Sequence, residues 1–318
     1  MFSVASLVAL FYQIDTRSLQ LNIHKIDFYV IAQLVALMCA IFFIQAVRWW
    51  LIGTKLGLEW TLRTSIELTF IGAFFNQILP SSSGGDVVRA WKLTRMGASI
   101  RHAGSSVVLD RVSGLFALGL MFCLGFTVSH KVLDSYIGPD GMIVLYSALL
   151  ALIVLTGLLA WVYGRSPFFR HMRLTSAIIK LGNDTKLIVR SPLVFFLTTV
   201  ISLIAQFAVG YIVWRLAWSF GAKLDFFQFS ILWPVVFLLS MVPISIAGWG
   251  IREGAMVVAF NILGSPSSIA LATSIAFGII MILVSIPGGA IWAVPSFNRK
   301  SGHTPLPSDQ NFSEDERR

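Results

Sequence analysis

The stretch Asn76-Gln-Ile-Leu-Pro-Ser-Ser-Ser-Gly-Gly-Asp-Val-Val-Arg89 places helix-breaking and charged residues directly after an apolar run. A second stretch, Pro243-Ile-Ser-Ile-Ala-Gly-Trp-Gly-Ile-Arg-Glu253, has Pro, Ser, Gly and Arg at the same relative spacing. Two broken apolar segments in corresponding halves of a chain are typical of transporter binding sites. The spacing therefore suggests an internal repeat, although four matches among so few positions also fit coincidence.

The composition is typical of an integral membrane protein. Of the 318 residues, 56% are hydrophobic and 12% are charged, whereas soluble domains contain about 25% charged residues. The mean hydropathy is +0.80. We therefore predict an all-α polytopic membrane protein with about seven or eight membrane segments, some of them broken or re-entrant. Apolar runs of spanning length cover residues 28–50, 105–128, 142–163, 193–218 and 267–294.

Shorter apolar runs flank the two breaks. Residues 65–79 are fewer than the roughly 17–25 that a spanning helix needs, so we predict a re-entrant half helix that ends at Pro80. Residues 226–242 and 256–263 flank the second break in the same way. Residues 1–12 lack the features of a signal peptide. We therefore predict that they form a short first membrane segment. We expect one membrane domain over residues 1–298 and a polar, disordered tail over residues 299–318.

The formal charge of +9 is unevenly distributed, and basic residues mark cytoplasmic loops. Residues 164–192 contain a single acid, Asp184, beside six basic residues: Arg165, Arg170, Arg173, Lys180, Lys186 and Arg190. We predict that this loop is cytoplasmic and forms an amphipathic helix on anionic headgroups. Residues 130–141, with balanced charge, should face outward. We also assign the earlier loops to the cytoplasm, because basic residues mark them. These residues are Arg48, Lys55, Arg63, Arg89, Lys92, Arg95 and Arg101. Both termini are then cytoplasmic if residues 65–80 dip into the membrane and return to the same side.

The first break carries the residue types of an anion site. Irregular backbone at membrane depth persists only where protein or a water-filled cavity surrounds it. We expect a helix to restart near Asp86, because an acid is favoured at a helix N-terminus. Free backbone amides there, with Arg89 one turn further on, suit a phosphate or carboxylate. The candidate binding residues are Asn76, Pro80, Ser82, Gly84, Gly85, Asp86 and Arg89. Alternatively, the segment is an interfacial turn whose basic residues contact lipid headgroups.

Two further charged pairs join the candidate site. Asp110 and Arg111 lie within a predicted span, where charges are costly unless they find partners inside the bundle. Adjacent helix positions point about 100° apart, so we expect Asp110 to meet Arg89 or Arg252, and Arg111 to meet Asp86 or Glu253. The alternative is an interfacial pair with a snorkelling arginine. In the second break, Gly248 and Gly250 precede Arg252 and Glu253, which form either a ligand site or a local salt bridge.

Several chemistries lack their sequence signatures. The chain contains no Walker motif, no Gly-x-Ser-x-Gly elbow and no Cys-x-x-Cys pair, and its five histidines are dispersed. Cys39 and Cys123 lie in apolar runs and read as small core residues. We therefore expect no cofactor and no metal. Nucleic acid is a poor candidate partner, because the basic residues adjoin membrane spans.

A family resemblance rests on motifs distributed along the chain. They are Arg48-Trp49, the run from Phe75 to Pro80, Gly84-Gly85-Asp86 with Arg89, Asp110-Arg111, and the run from Pro243 to Glu253. In these the chain resembles the lysylphosphatidylglycerol synthase transmembrane-region family, also called the flippase-like domain, over about residues 32–294. The resemblance implies an inner-membrane protein related to the flippase half of the multiple peptide resistance factor, which moves aminoacylated phosphatidylglycerol between leaflets. Relatives without a synthase half are presumed to move lipids or lipid-linked sugars.

We predict a lipid transporter that binds an anionic lipid or lipid-linked headgroup in a central cavity, and not an enzyme. No aminoacyl-transfer domain is expected in the residues after the last span. The sequence leaves two driving forces for lipid transport: scrambling, or ion coupling through Asp86, Asp110 or Glu253. The first alternative is a polyprenyl-phosphate sugar transferase that uses an acid as base. The second is a scaffold for a lipid-modifying enzyme or glycosyltransferase.

Overall fold

The computed structural model describes residues 27–79, 84–125, 182, 184–241 and 249–294, and every regular element in these ranges is an α-helix. The helices are α1 (Phe28–Lys55), α2 (Leu62–Ile78), α3 (Gly84–Arg95), α4 (Ile100–Gly125), α5 (Pro192–Ser219), α6 (Phe226–Ser240), α7 (Ile251–Ile262) and α8 (Ser267–Ala293). Residues 184–189 are also helical. The predicted all-α polytopic class is confirmed.

Four of the described helices, α1, α4, α5 and α8, are long and apolar enough to cross a membrane. Their lengths of 26 to 28 residues exceed the roughly 20 residues that a bilayer core requires. They correspond to the predicted spans at 28–50, 105–128, 193–218 and 267–294. The predicted segments at 1–12 and 142–163, the loop at 130–141, and most of the predicted amphipathic loop lie outside the described residues.

Local sequence signals explain where several helices begin and end. The Asp27 carboxylate accepts the Tyr29 amide at 3.0 Å, and the Asp225 carboxylate accepts the amides of Phe227 and Gln228. Such side chains satisfy backbone donors that the first turn of a helix leaves free. Gly221 follows α5 with φ of 96°, a conformation that glycine adopts without steric cost.

Each break follows a short helix and precedes a 12-residue helix. Before the first break α2 has 17 residues and α3 follows with 12. Before the second break α6 has 15 residues and α7 follows with 12. Short helices therefore flank both breaks and a helix restarts near Asp86, although α7 begins five residues earlier than the predicted run at 256. The re-entrant path of α2 stays a prediction. Within the breaks, residues 80–83 and 242–248 lie outside the described residues.

Helix α2 lies against α1, α3 and α8, and two of these contacts bring backbones together. A Cβ atom on Gly85 of α3 would collide with the carbonyl oxygen of Gly72 on α2. A Cβ atom on Gly288 of α8 would likewise collide with the Phe70 carbonyl oxygen of α2. Only glycine fits at these positions, so α2 is held backbone to backbone on two sides.

Candidate functional site

A cavity of about 230 Å³ lies in the middle of the described bundle, and every one of the helices α1 to α8 contributes to its lining. Apolar side chains such as Phe42 and Trp233 form part of its wall. The charged side chains that line it are Arg48, Arg89, Asp110, Arg111 and Arg252. Charged groups at this depth are costly unless they are paired, so their partners define the site.

Asp110 on α4 joins two other helices. Its Oδ1 accepts Arg48 Nε of α1 at 2.8 Å, and its Oδ2 accepts Arg89 Nη2 of α3 at 3.1 Å. Asp110 is 4% exposed. Since both carboxylate oxygens are engaged by guanidinium groups, the positions of α1, α3 and α4 are coupled through one side chain.

Asp86 in the first turn of α3 extends the network. Its Oδ1 accepts Arg89 Nη1 at 3.2 Å, and its Oδ2 accepts Arg111 Nε at 2.6 Å. The predicted contacts of Asp110 with Arg89 and of Arg111 with Asp86 are therefore present. As expected from their helical spacing, Asp110 and Arg111 have different partners. The described residues form a continuous chain of charges: Arg48, Asp110, Arg89, Asp86 and Arg111.

The assignment of Arg48 to a cytoplasmic loop was wrong. Helix α1 continues to Lys55, beyond the predicted end of the span at residue 50, and Arg48 is 6% exposed inside the bundle. Besides Asp110 it donates from Nη1 to Ser202 Oγ of α5 at 2.9 Å. Arg89, which was predicted to lie one turn into the restarted helix, and Lys92 are also buried residues of α3, so neither marks an exposed loop. A positive-inside count treats every basic residue as interfacial and cannot detect a buried partner.

Arg89 has an aromatic neighbour and a free donor. Its guanidinium carbon lies 3.7 Å from the ring centroid of Trp49, within the range of a cation–π interaction. Its Nε is buried and has no hydrogen-bond partner among the described residues. Arg89 thus keeps one donor that its carboxylate partners do not use.

The second charged group surrounds Arg252 at the start of α7. Arg252 Nη2 lies 2.9 Å from Glu253 Oε1, and Arg252 Nε donates to Ser274 Oγ of α8 at 3.0 Å. Ser274 Oγ donates to Glu253 Oε1 at 2.8 Å, and Glu253 Oε2 accepts the Gly250 amide. The local salt bridge considered from the sequence therefore exists. Arg252 also lines the cavity, so the two alternatives are not exclusive here.

Asn76, Gly84 and Gly85 shape the start of α3. The Asn76 side-chain oxygen accepts the Gly85 amide at 2.7 Å, so Asn76 makes an interhelical hydrogen bond and also lines the cavity. Pro80, Ser82 and Gly248, three of the predicted site residues, lie outside the described residues. No group of His, Cys, Asp or Glu in the described ranges is arranged to hold a metal ion.

Other polar groups on the cavity wall form no hydrogen bond with any residue that the structure describes. Thr69 Oγ1 and Trp233 Nε1 are buried without a hydrogen bond among the described residues. The side chains of Gln45, Gln77 and Gln206 also form none within the described part of the chain. Buried polar groups nearly always have a partner, so this wall is suited to a ligand with polar atoms.

Sequence reasoning missed part of the site. Ser202 and Ser274 gave no signal, because a serine in an apolar run usually bonds its own helix. Arg48 did give a sequence signal, because an ionisable residue near the end of a spanning run is a functional candidate by default. Trp49 was noted only as part of a family motif and not as a partner of Arg89.

The fold and this cluster define a polytopic membrane domain with a charged central cavity. The chain belongs to the family described as Lysylphosphatidylglycerol synthase TM region, whose model matches residues 1–288. A comparison with curated proteins finds no match to the chain.

Proposed function

We propose that this membrane domain binds the anionic headgroup of a membrane lipid in the arginine-lined cavity and moves the lipid between leaflets. The observation that carries the proposal is the charge balance of the described cluster. Arg48, Arg89, Arg111 and Arg252 face only three carboxylates, those of Asp86, Asp110 and Glu253. Every arginine contacts a carboxylate, but four positive and three negative charges leave the cluster with a net charge of +1. A single phosphodiester supplies the matching negative charge.

The guanidinium groups retain donors for such a ligand. Arginine has five N–H donors in a planar fork that suits phosphate and carboxylate. The described contacts use Nε and Nη1 of Arg48, and Nε and Nη2 of Arg252. The remaining donors, together with the unpaired Nε of Arg89, support binding of an anion inside the cavity.

The proposal includes no covalent chemistry. Each carboxylate of the cluster accepts hydrogen bonds from arginine, and this favours a structural role over that of a free base. We propose membrane lipids as the partners of the cavity: an anionic phospholipid or a lipid-linked sugar. A partnership with a lipid-modifying enzyme stays a prediction of the sequence.

Leaflet exchange in liposomes tests the proposal. The full chain is reconstituted with a fluorescent phosphatidylglycerol, and a membrane-impermeant quencher reports exchange. We expect Arg89→Ala and Arg252→Ala to slow exchange about tenfold or more, equivalent to about 1.4 kcal/mol, with partial rescue by lysine, which lacks the fork. Arg63→Ala is the matched control, because the Arg63 side chain is 86% exposed and its ion-pair partner among the described residues is Glu67.

Three outcomes would contradict the proposal. One is exchange by both alanine variants at the wild-type rate. Another is the absence of exchange by the wild-type protein with any anionic lipid of a cell extract. The third is the formation of a new lipid species from a sugar donor in place of exchange, which would favour the transferase alternative. Thermal stability is measured for each variant, so that loss of exchange is separated from loss of fold.

A further inference from the structure

Two glutamines line the charged cavity together with the arginines. Gln45 belongs to α1 and Gln206 to α5, and both line the cavity. Neither side chain forms a hydrogen bond with any described residue, and neither residue is fully buried. Their amides are therefore available to a molecule inside the cavity.

The helices that carry these glutamines run antiparallel. Arg48 of α1 donates to Ser202 of α5 at 2.9 Å, and this contact fixes how the two helices align. Near the end of α1, Ile52 belongs to the same apolar cluster as Ile188, which lies just before the start of α5. The end of α1 and the start of α5 therefore lie on one side of the Arg48 contact.

This alignment places the two glutamines at one level of the cavity. Gln45 precedes Arg48 by three residues, and Gln206 follows Ser202 by four. Because α1 and α5 run antiparallel, both glutamines are displaced from the Arg48 contact in the same direction. The displacement is about one helical turn, or about 5 Å. A layer of neutral amides thus adjoins the layer of arginines.

Trp233 of α6 adds an unused donor near this layer. A Cβ atom on Gly210 would lie 3.3 Å from Cδ1 of Trp233, so the indole packs against α5 four residues after Gln206. Trp233 lines the cavity, and its Nε1 is buried without a hydrogen bond among the described residues. Since buried polar groups nearly always have a partner, this donor suits a ligand that carries an acceptor.

The charges of the cavity decide which polar headgroup fits beside the amides. Among the described lining residues the one carboxylate is that of Asp110, and both of its oxygens accept from arginines. The net charge of the arginine cluster is positive. An ammonium group would therefore be repelled and would have no carboxylate of its own. A hydroxyl group is neutral, and it both donates and accepts hydrogen bonds, as an amide does.

We infer that the headgroup beyond the phosphate is a neutral polyol, either glycerol or a sugar, and that Gln45 and Gln206 bind its hydroxyl groups. This inference rests on the proposed function and deepens it, since that proposal requires only a negative charge. The phosphate lies in the arginine layer, and the polyol lies one helical turn away. Lipids with an amine in the headgroup, including aminoacylated phosphatidylglycerol, are then poor ligands.

Lipids that differ only in the headgroup test the inference. Native mass spectrometry of the purified full chain measures binding of four lipids with identical acyl chains: phosphatidylglycerol, phosphatidylinositol, phosphatidylmethanol and lysylphosphatidylglycerol. Phosphatidylmethanol has the same charge as phosphatidylglycerol but no hydroxyl group. We expect phosphatidylglycerol or phosphatidylinositol to bind at least about tenfold more tightly than the other two lipids, equivalent to about 1.4 kcal/mol. Which of the two binds more tightly distinguishes glycerol from a sugar-like ring.

Substitution of the glutamines gives a second measurement. We expect Gln45→Leu and Gln206→Leu to bring the ratio of phosphatidylglycerol to phosphatidylmethanol binding close to one. Gln33→Leu is the matched control and should keep the wild-type ratio, because Gln33 is an exposed residue of α1 outside the cavity lining. A wild-type ratio in both cavity variants would overturn the role of the glutamines. The comparison of lipids on the wild-type protein needs no substitution, so a variant that fails to fold does not decide the test.

The outcomes separate this inference from the proposed function. If phosphatidylmethanol or lysylphosphatidylglycerol binds the wild-type protein as tightly as both polyol lipids do, the polyol inference fails. The proposed function then still stands if the protein exchanges anionic lipids between leaflets. If the polyol lipids bind with the expected preference but no lipid is exchanged, the proposed function fails and the polyol site remains.

Discussion

Asp110 has two carboxylate oxygens, and each accepts a hydrogen bond from an arginine on a different helix. The side chain is almost fully buried, and Arg48 and Arg89 are too. Removing the negative charge would leave two buried guanidinium groups with less compensation than they have now. The cost of this change is therefore set by the desolvation of both arginines and not by a single hydrogen bond.

The first prediction concerns Asp110→Asn. Breaking a buried ion pair costs about 3–5 kcal/mol, so we expect a clear fall in the midpoint of thermal unfolding of the purified protein. Glu67→Gln is the control, because Glu67 pairs with the exposed Arg63 at i,i+4, and such pairs contribute about 0.3–0.5 kcal/mol. Equal midpoints for both variants would show that the Asp110 pairs do not stabilise the fold.

The contact partners of these buried charged residues were only partly predictable from the sequence. The helical angle between Asp110 and Arg111 was enough to predict that they point to different partners, and a short set of opposite charges supplied the candidates. The contact between Arg48 and Asp110 was not predicted, because the two residues are 62 positions apart. That contact depends on how α1 and α4 pack, which no local pattern in either helix reports.

At the scale of elements, α2 and α3 approach each other through two glycines. The missing Cβ of Gly85 leaves space for the backbone of Gly72. Gly72 in turn leaves space for the stem of Arg89, whose Cδ would lie 2.6 Å from a Cβ at that position. The close approach thus positions both the start of α3 and the arginine of the cavity.

The second prediction concerns Gly85→Ala. The added methyl group would push α3 away from α2, and overpacking of this kind costs about 1–3 kcal/mol. We expect a lower unfolding midpoint together with slower lipid exchange. Gly104→Ala is the control in α4, where a Cβ meets no described atom within 4 Å, and alanine should there be neutral or stabilising. A normal midpoint and normal exchange for Gly85→Ala would argue against the close approach.

Most described element boundaries were predictable because their causes are local. Long apolar runs, the acids before α1 and α6, and Pro192 at the start of α5 all act within a few residues. The predictions failed by several residues at the end of α1 and the start of α7. At the start of α7 the polar residues Arg252 and Glu253 lie inside the helix, where Ser274 of α8 accepts from Arg252, so a run defined by apolar residues missed this turn. At the end of α1, residues 51–55 continue the helix past the predicted end of the span.

At the scale of the whole molecule, the orientation in the membrane stays a prediction of charge distribution. The described end of the basic loop is anchored: buried Asp184 accepts Arg101 Nη2 at 3.0 Å and Ser105 Oγ at 2.7 Å. Because Arg101 and Ser105 belong to the start of α4, residues 184–190 and that end of α4 face the same side of the membrane.

The third prediction tests whether the side of the membrane shared by residues 184–190 and the start of α4 is the cytoplasmic side. In a variant with Cys39 and Cys123 replaced by alanine, a single cysteine at the exposed Lys186 should resist an impermeant thiol reagent added to intact cells. It should react once the cells are opened. A cysteine at Asp134, outside the described residues, should react from outside. The reverse pattern would invert the orientation and place the start of α4 at the outer face.

The backbone contacts on both sides of α2 also constrain how the protein can move. Phe70 and Gly72 are two residues apart, yet one contacts Gly288 of α8 and the other contacts Gly85 of α3 without an intervening side chain. Sliding or rotating α2 by itself would drive carbonyl oxygens into neighbouring backbone atoms. We therefore expect α2, α3 and α8 to move together as one unit. If the proposed lipid enters the cavity, we expect the opening motion to occur at the borders of this three-helix unit and not inside it.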